Sequence, residues 1–220
     1  MKEYHKIDSI FKRDPKGKFL IGEWSRPEFE YLADNPWLWT EKIDGTNIRV
    51  MYQDEGNDML GPFWNVTFGG KTDNAQIPAK LVKHLEDTFT ISAMENVFGM
   101  TGSRICLYGE GYGAGIQKGG GNYSPDQKFI LFDVKIGDWW LQREDVQDIA
   151  SKLNIEVVPI HGYFTLREMI DAFFSERHIP PKSKISETAL TEGYVGTPVV
   201  PLFARNGDRI ITKIKYKDVR

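Results

Sequence analysis

Apolar and polar positions alternate over much of this chain, and the three-to-four-residue rhythm of a helix is confined to a few segments. Residues 37–42 (Trp-Leu-Trp-Thr-Glu-Lys) and 47–53 are rich in aromatic and β-branched side chains and read as strands. An acidic turn at 54–58 separates them from a further strand within 59–69. Strands are also predicted at 104–108 and 128–136, where Gly137-Asp138 turns the chain into Trp139, Trp140 and Leu141. Two more close the chain at 193–200 and 209–216, joined near an Asn206-Gly207 turn signal. Four segments read as helices. Residues 26–33 follow Ser25, which with Glu28 forms a predicted capping box, and Pro27 sits in the first turn. Pro78 opens a helix carrying Leu81, Val82 and Leu85 on one side, and 144–152 turns Val146, Ile149 and Ala150 inward. Residues 166–174 are capped by Thr165 and Glu168, and Pro180-Pro181 with Lys182-Ser183-Lys184 mark a loop. Strands in runs, more numerous than helices and linked by hairpins, predict an α+β fold of mostly antiparallel sheets.

At 220 residues the chain can bury a substantial core without disulfide staples. Its 28 basic and 31 acidic residues leave a net charge of −3, which excludes a polybasic protein that coats nucleic acid but leaves room for a local basic groove. The stretch 205–220, with six basic and two acidic residues, is the candidate rim of such a groove. A single cysteine, Cys106, excludes intrachain disulfides and a Cys-cluster zinc site. His5, His84, His161 and His178 are scattered, with no pair at metal-ligand spacing. No apolar run approaches the ~20 residues of a membrane span, and the N-terminus lacks a signal region, so a soluble cytoplasmic protein without a membrane partner is expected. Cys106 reads as a small buried hydrophobe, Trp139-Trp140 as a hairpin pair packed on a sheet, and His84 as a solvated side chain. Tyr112 reads equally as a loop anchor or a substrate contact.

Two glycine motifs mislead. Gly69-Gly70-Lys71-Thr72 has the ending of a phosphate-binding P-loop, but Asn65 stands where the pattern needs glycine, and 73–78 reads as loop instead of helix. Gly109, Gly111 and Ala114 satisfy a dinucleotide-binding spacing, yet the following Gly115, Gly119, Gly120, Gly121 and Pro125 cannot start the required helix.

The candidate chemistry begins at Glu41-Lys42-Ile43-Asp44-Gly45-Thr46-Asn47. In extended chain Lys42 and Asp44 share one face and Ile43 takes the other, while Gly45 allows a sharp turn and close approach to backbone. Alone, this block describes a solvated ion pair at a strand end. Further on, Glu110 opens the glycine-rich segment, Phe132-Asp133 lies within a strand, Glu192-Gly193 starts another, and Lys213 and Lys215 share a face of the last. Lysines suit phosphates, glutamates suit Mg²⁺ or ribose hydroxyls, and an aromatic ring suits a base.

In order and spacing, K-x-D-G, Gly-Glu, Phe-Asp, Glu-Gly and K-x-K resemble the motif set of the covalent nucleotidyltransferases: ATP-dependent DNA ligases, RNA ligases and mRNA capping enzymes. Asn47 resembles the RNA ligase version, where DNA ligases usually carry arginine, and the 41–47 block is most similar to phage and bacterial RNA ligases of the type-2, nick-sealing branch. The resemblance spans residues 41–217. It implies a nucleotidyltransferase (adenylation) domain of two mostly antiparallel sheets with flanking helices. A single such domain over 1–220, with no C-terminal accessory or OB domain, is expected, and the resemblance implies ATP with Mg²⁺ (or Mn²⁺) as cofactors. The implied partner is RNA with 5′-phosphate and 3′-hydroxyl ends, nicked or single-stranded. Lys42 would attack the α-phosphate of ATP to form lysyl-AMP. Glu110 would contact ribose or metal, Phe132 would stack on adenine, and Glu192 would help hold the metal. Lys213 and Lys215 would bind phosphates, and Glu41 and Asn47 would act in the same nucleotide pocket. Lys71 stands near the place of a family arginine and cannot make that residue's planar two-point contact. A free lysine, with a pKa of ~10.4, is almost wholly protonated near neutrality, so Lys42 needs burial or neighbouring cations to become nucleophilic. The rivals are a DNA ligase core, a GTP-using capping enzyme and a non-catalytic nucleic-acid binding module.

Overall fold

The computed structural model describes residues 3–56, 59, 61–100, 102–175 and 179–218. His178, Arg220 and part of the expected 54–58 turn lie outside them. In chain order the strands are β1 (Asp8–Ser9), β2 (Phe11–Arg13), β3 (Phe19–Trp24), β4 (Trp37–Lys42), β5 (Thr46–Asp54), β6 (Trp64–Gly69), β7 (Ile105–Tyr112), β8 (Lys128–Ile136), β9 (Trp139–Trp140), β10 (Glu156–Val157), β11 (Ile160–Phe164), β12 (Gly193–Pro198) and β13 (Thr212–Lys215). The α-helices are α1 (Pro27–Tyr31), α2 (Ala79–Thr88), α3 (Ile91–Phe98), α4 (Arg143–Lys152) and α5 (Leu166–Phe174). The chain divides into two compact units, one of residues 5–43 and 159–220, the other of residues 1–4 and 44–158.

The first unit is built on a five-stranded sheet in the order β1-β13-β12-β4-β11, antiparallel except for β1 beside β13. Alternation along β4 sends Trp37 and Trp39 to a fully buried face, where they join Phe29, Leu166, Met169 and Phe173. Burying a large apolar side chain contributes roughly 1.5–3 kcal/mol, enough to fix which face of the strand turns inward. The capping box of α5 forms as the sequence predicts: Thr165 Oγ1 accepts from the Glu168 N–H at 3.1 Å, and the Glu168 carboxylate accepts from the Thr165 N–H at 2.8 Å. The box expected at Ser25 and Glu28 does not. Arg26, not Ser25, is the N-cap of α1 and has no side-chain cap; Ser25 stands one residue outside the helix entry, and its hydroxyl donates to the Ser9 carbonyl of β1. A small two-stranded sheet, β2-β3, which the sequence pattern does not announce, completes this unit.

The second unit holds a sheet in the order β10-β8-β7-β5-β6, with β9 paired to β8. One face packs Ile48, Val50, Leu107, Leu131 and Val134 against Leu81 and Leu85 of α2 and Val146 and Ile149 of α4. Helix α3, capped by Thr90, follows α2 directly and has no counterpart in the sequence reading. Strand β7 runs beyond the predicted 104–108 through Tyr112, since β5 and β8 pair with it along its full length. Glu110 therefore lies inside a strand and does not open a loop. Tyr112 ends β7; it is buried and its hydroxyl donates to Glu156 of β10 at 2.5 Å. Cys106 is buried as expected, and burial pushes its thiol up to about 11. His84 is half-buried instead of solvated, and burial lowers its pKa. Trp140 packs on Tyr108, whereas Trp139 is exposed. No helix among the described residues is long and apolar enough to cross a membrane.

Candidate active site

In the first unit the chemistry gathers where three strands run in register. Gly193 at the start of β12 lies between Lys42, the last residue of β4, and Lys215, the last of β13. A Cβ at position 193 would sit 2.1 Å from the Ile214 carbonyl, so only glycine lets these strands close up. Glu192, one residue earlier, joins both lysines. Lys42 Nζ donates to its Oε2 at 2.7 Å, and Lys215 Nζ to its Oε1 at 2.5 Å. Burial alone would raise the Glu192 carboxyl, but the two ammonium groups outweigh it and hold the pKa below the usual glutamate value. Lys213 shares the face of Lys215, with buried Ile214 opposite, as the alternation predicts. Burial first, and then the charges of Lys215 and Lys42, lower Lys213 to about 8. Two lysines thus share one carboxylate and a third stands on the same sheet face, a field that favours an incoming anion beside the Lys42 amine.

Glu41 points to the opposite face of β4 and is 3 % exposed. Its Oε2 accepts the Lys184 backbone N–H at 2.8 Å, while its Oε1 is buried without a hydrogen-bond partner. A buried carboxylate oxygen left unpaired is costly, so Glu41 offers an acceptor to a donor on a ligand. The expected sharing of a face by Lys42 and Asp44 does not arise. The strand ends at Lys42, and the chain bends at Asp44 and Gly45 before β5 begins.

The second unit holds the remaining predicted residues. Asn47 of β5 stands opposite Glu110 of β7, and its Oδ1 is another buried acceptor with no partner. A Cβ on Gly45 would meet the Gly111 carbonyl at 2.1 Å and Glu110 Cγ at 2.9 Å, so glycine is required for the motif's turn to pack against this strand. Phe132 sits at a bulge, where the pairing of β7 with β8 shifts register. Its ring packs edge-on with Tyr4, 5.0 Å between centroids, while the Tyr4 hydroxyl donates to Asp133 at 2.5 Å. Lys71 is exposed in a turn after β6, with no helix behind it and no ion pair among the described residues.

The structure therefore brings Lys42, Glu192, Lys213 and Lys215 together and makes Asn47 and Glu110 neighbours. Glu110 and Glu192, the two expected metal ligands, belong to different units. Among the described residues no three His, Cys, Asp or Glu side chains converge. The available donors are carboxylate oxygens, which suit Mg²⁺ or Mn²⁺, and such ions complete their shell with water and phosphate oxygens. Arg49 is a residue the sequence reading missed. It is 1 % exposed; its Nε donates to the Gly70 carbonyl at 2.9 Å and its Nη2 to Asp73 at 2.7 Å, on either side of Lys71. The guanidinium also holds the Asp73 carboxyl below its usual value through that hydrogen bond. A charged residue two positions after Asn47, on the same face of a strand, is the signal that marks it.

Two mostly antiparallel sheets, one carrying three lysines and a glutamate at its strand ends, form a site whose charge suits an anion. Residues 35–216 match the RNA ligase family, and the chain belongs to it. No curated protein matches the sequence. Solved structures of Naegleria gruberi RNA ligase share the fold. A lysine-to-alanine variant with ATP and Mn has a TM-score of 0.63 at 17% identity, covering 99% of this chain and 64% of that one. The ligase with PPi has a TM-score of 0.62 at 18% identity, covering 98% and 62%. A lysine-to-methionine variant with AMP and Mn has a TM-score of 0.61 at 17% identity, covering 95% and 60%. This chain spans less than two thirds of the length of these relatives.

Proposed function

We propose that the chain is an ATP-dependent RNA ligase in which Lys42 is the nucleophile. The observation that carries this reading is Lys42 hydrogen-bonded to Glu192 at 2.7 Å, with Lys213 and Lys215 on the same sheet face. The Lys42 amine, once it has given up a proton, attacks the α-phosphorus of ATP and displaces pyrophosphate. An RNA 5′-phosphate then attacks the lysyl-AMP, freeing the lysine, and a 3′-hydroxyl displaces AMP to form the phosphodiester. Lys213 and Lys215 hold the phosphates. Their ammonium groups neutralise charge on the leaving pyrophosphate, and Lys213 regains stability as a cation when phosphate oxygens approach. A divalent ion would supply Lewis-acid stabilisation of that charge. Glu192 is the carboxylate beside Lys42 that would hold it with phosphate and water oxygens, and Glu110 offers a carboxylate to metal or ribose within its own unit. Phe132 and Asn47 serve the nucleoside, and Lys71 a ribose or phosphate contact. The unpaired Oε1 of Glu41 favours adenine, whose exocyclic amino group donates where guanine carries an accepting carbonyl. The substrate is RNA with 5′-phosphate and 3′-hydroxyl ends, residues 1–220 act as one nucleotidyltransferase domain, and the site of action is cytoplasmic.

The test is mass spectrometry after incubation with ATP and Mg²⁺. Wild type should gain one AMP, while Lys42→Ala and Lys42→Arg should gain none, because a guanidinium does not deprotonate in proteins. Labelling of Lys42→Ala would remove Lys42 from its role, and better sealing of an all-DNA nick would favour a DNA ligase.

A further inference from the structure

Charge is distributed unevenly between the two units. Residues 5–43 and 159–220 contain 17 basic and 14 acidic side chains, net +3, while residues 1–4 and 44–158 contain 11 and 17, net −6. In the cationic unit, the β2-β3 hairpin carries Lys16 and Lys18 on its turn. Both are exposed, and neither has a carboxylate partner among the described residues.

The turn is rigid by construction. The one carboxylate within it, Asp14, is consumed by the backbone: its Oδ1 accepts from the Lys16 N–H at 2.9 Å and the Lys18 N–H at 2.8 Å. Gly17 takes the left-handed backbone, φ +82°, that closes the loop. Arg13 then pins the turn to the lysine strand. Its Nη1 donates to the Gly17 carbonyl at 2.8 Å, and its Nη2 to Ser9 Oγ at 2.9 Å and to the buried Asp218 at 2.6 Å. The guanidinium lies 4.6 Å above the Phe19 ring. Ser9 pairs with Lys213 in the sheet, and Asp218 lies three residues beyond Lys215. The hairpin's root is anchored by Phe11, which is buried against Phe19, Trp24 and Phe174.

Two lysines are therefore presented on an ordered turn that is fastened to β1 and to the segment just after β13, with exposed Lys217 next to Asp218 in sequence. Asp218 and Asp14 spend their charge on Arg13 and on backbone, so neither neutralises Lys16 or Lys18. We infer that the β2-β3 turn is a docking surface for the phosphate backbone of a polynucleotide, with Lys16 and Lys18 as its contacts. This rests on the RNA ligase reading for the identity of the polymer. It adds a contact element at the N-terminal end of the chain, apart from the nucleotide residues.

Fluorescence anisotropy of a 5′-phosphorylated single-stranded RNA, titrated with protein across a KCl series, tests the inference. Each phosphate contact on a single strand adds about 0.7 to the steepness of log affinity against log salt. A Lys16→Gln/Lys18→Gln double variant should therefore show a slope shallower by about 1.4. Between about 50 and 200 mM KCl, wild type should accordingly lose about sevenfold more affinity than the variant. Lys16→Arg/Lys18→Arg should restore the wild-type slope, and unchanged melting temperatures check the fold of each. An unchanged slope in the glutamine variant overturns the inference, as does a wild type that binds no RNA. Wild type that binds RNA with the expected slopes but forms no lysyl-AMP supports the docking surface and overturns the ligase reading instead.

Discussion

Replacing Lys213 with methionine should stabilise the ligand-free protein while weakening its hold on nucleotide. Burial, with help from the Lys215 and Lys42 ammonium groups, lowers Lys213 from 10.5 to about 8. In an unfolded chain the same side chain titrates near ~10.4. At about 1.36 kcal/mol per pH unit, the cost of keeping the folded-state ammonium below pH 8 is about 3 kcal/mol. Lys213 is only partly buried, and solvent screening reduces this to about 1–2 kcal/mol. Between about pH 8 and 10.5 the unfolded chain still binds a proton that the folded chain has released, so wild-type stability rises with pH through that window. Methionine keeps most of the apolar stem and has no proton to lose. At pH 7 the variant should therefore melt about 2–8 °C higher than wild type, and the gap should close as pH approaches 10.5. Its KM for ATP should rise, because the cation that phosphate would have relieved is gone. Paired thermal melts from pH 7 to 10.5, with ATP titrations of lysyl-AMP formation, read both effects. A variant less stable than wild type at pH 7, or a gap constant up to pH 10.5, would refute the view of Lys213 as a strained cation.

Glu192→Gln should lose about 1–2 kcal/mol near neutral pH, since Lys42 and Lys215 lose the charged partner they share in a partly buried site. Lysyl-AMP formation should fall at least about tenfold. Because the Glu192 pKa is depressed, its contribution is present above the ordinary glutamate range and lost as pH falls through the folded value. The variant should thus show a flatter acid limb in denaturation from pH 3 to 7, and identical limbs would count against the ion-pair network. Arg49→Lys keeps the charge but gives up the guanidinium's separate hold on Gly70 and Asp73. It should cost about 2 kcal/mol and lower the melting temperature by about 4–8 °C. A near-wild-type melt would mean that the clamp does not matter.

Elements were legible where their cause is local. Strand β4 follows the alternation residue for residue, β8 is a compact run of aromatic and branched residues, and α5 carries its own capping box, and the predicted bounds of these three agree with the structure. The two-residue strands β1 and β10 have no such signature. They exist because β13 and β8 offer them an edge. Ser25 shows the same limit of local signals: α1 begins one residue later than its capping box requires, and its hydroxyl donates to a carbonyl sixteen residues away.

The candidate site divides along the same line. Sequence alone determined which residue types occur in which order, from Lys42 through Glu110, Phe132 and Glu192 to Lys213 and Lys215. It also determined that Lys213 and Lys215 share a face, because a strand's side chains alternate whatever packs beside it. Only tertiary structure decided that Glu192 bridges Lys42, 150 residues away, and Lys215. It also decided that Lys213 is desolvated and that Arg49 braces the turn of Lys71. Those properties depend on burial and on charges from distant strands, and electrostatic energy depends on separation in space and on excluded water, neither of which spacing along a chain specifies.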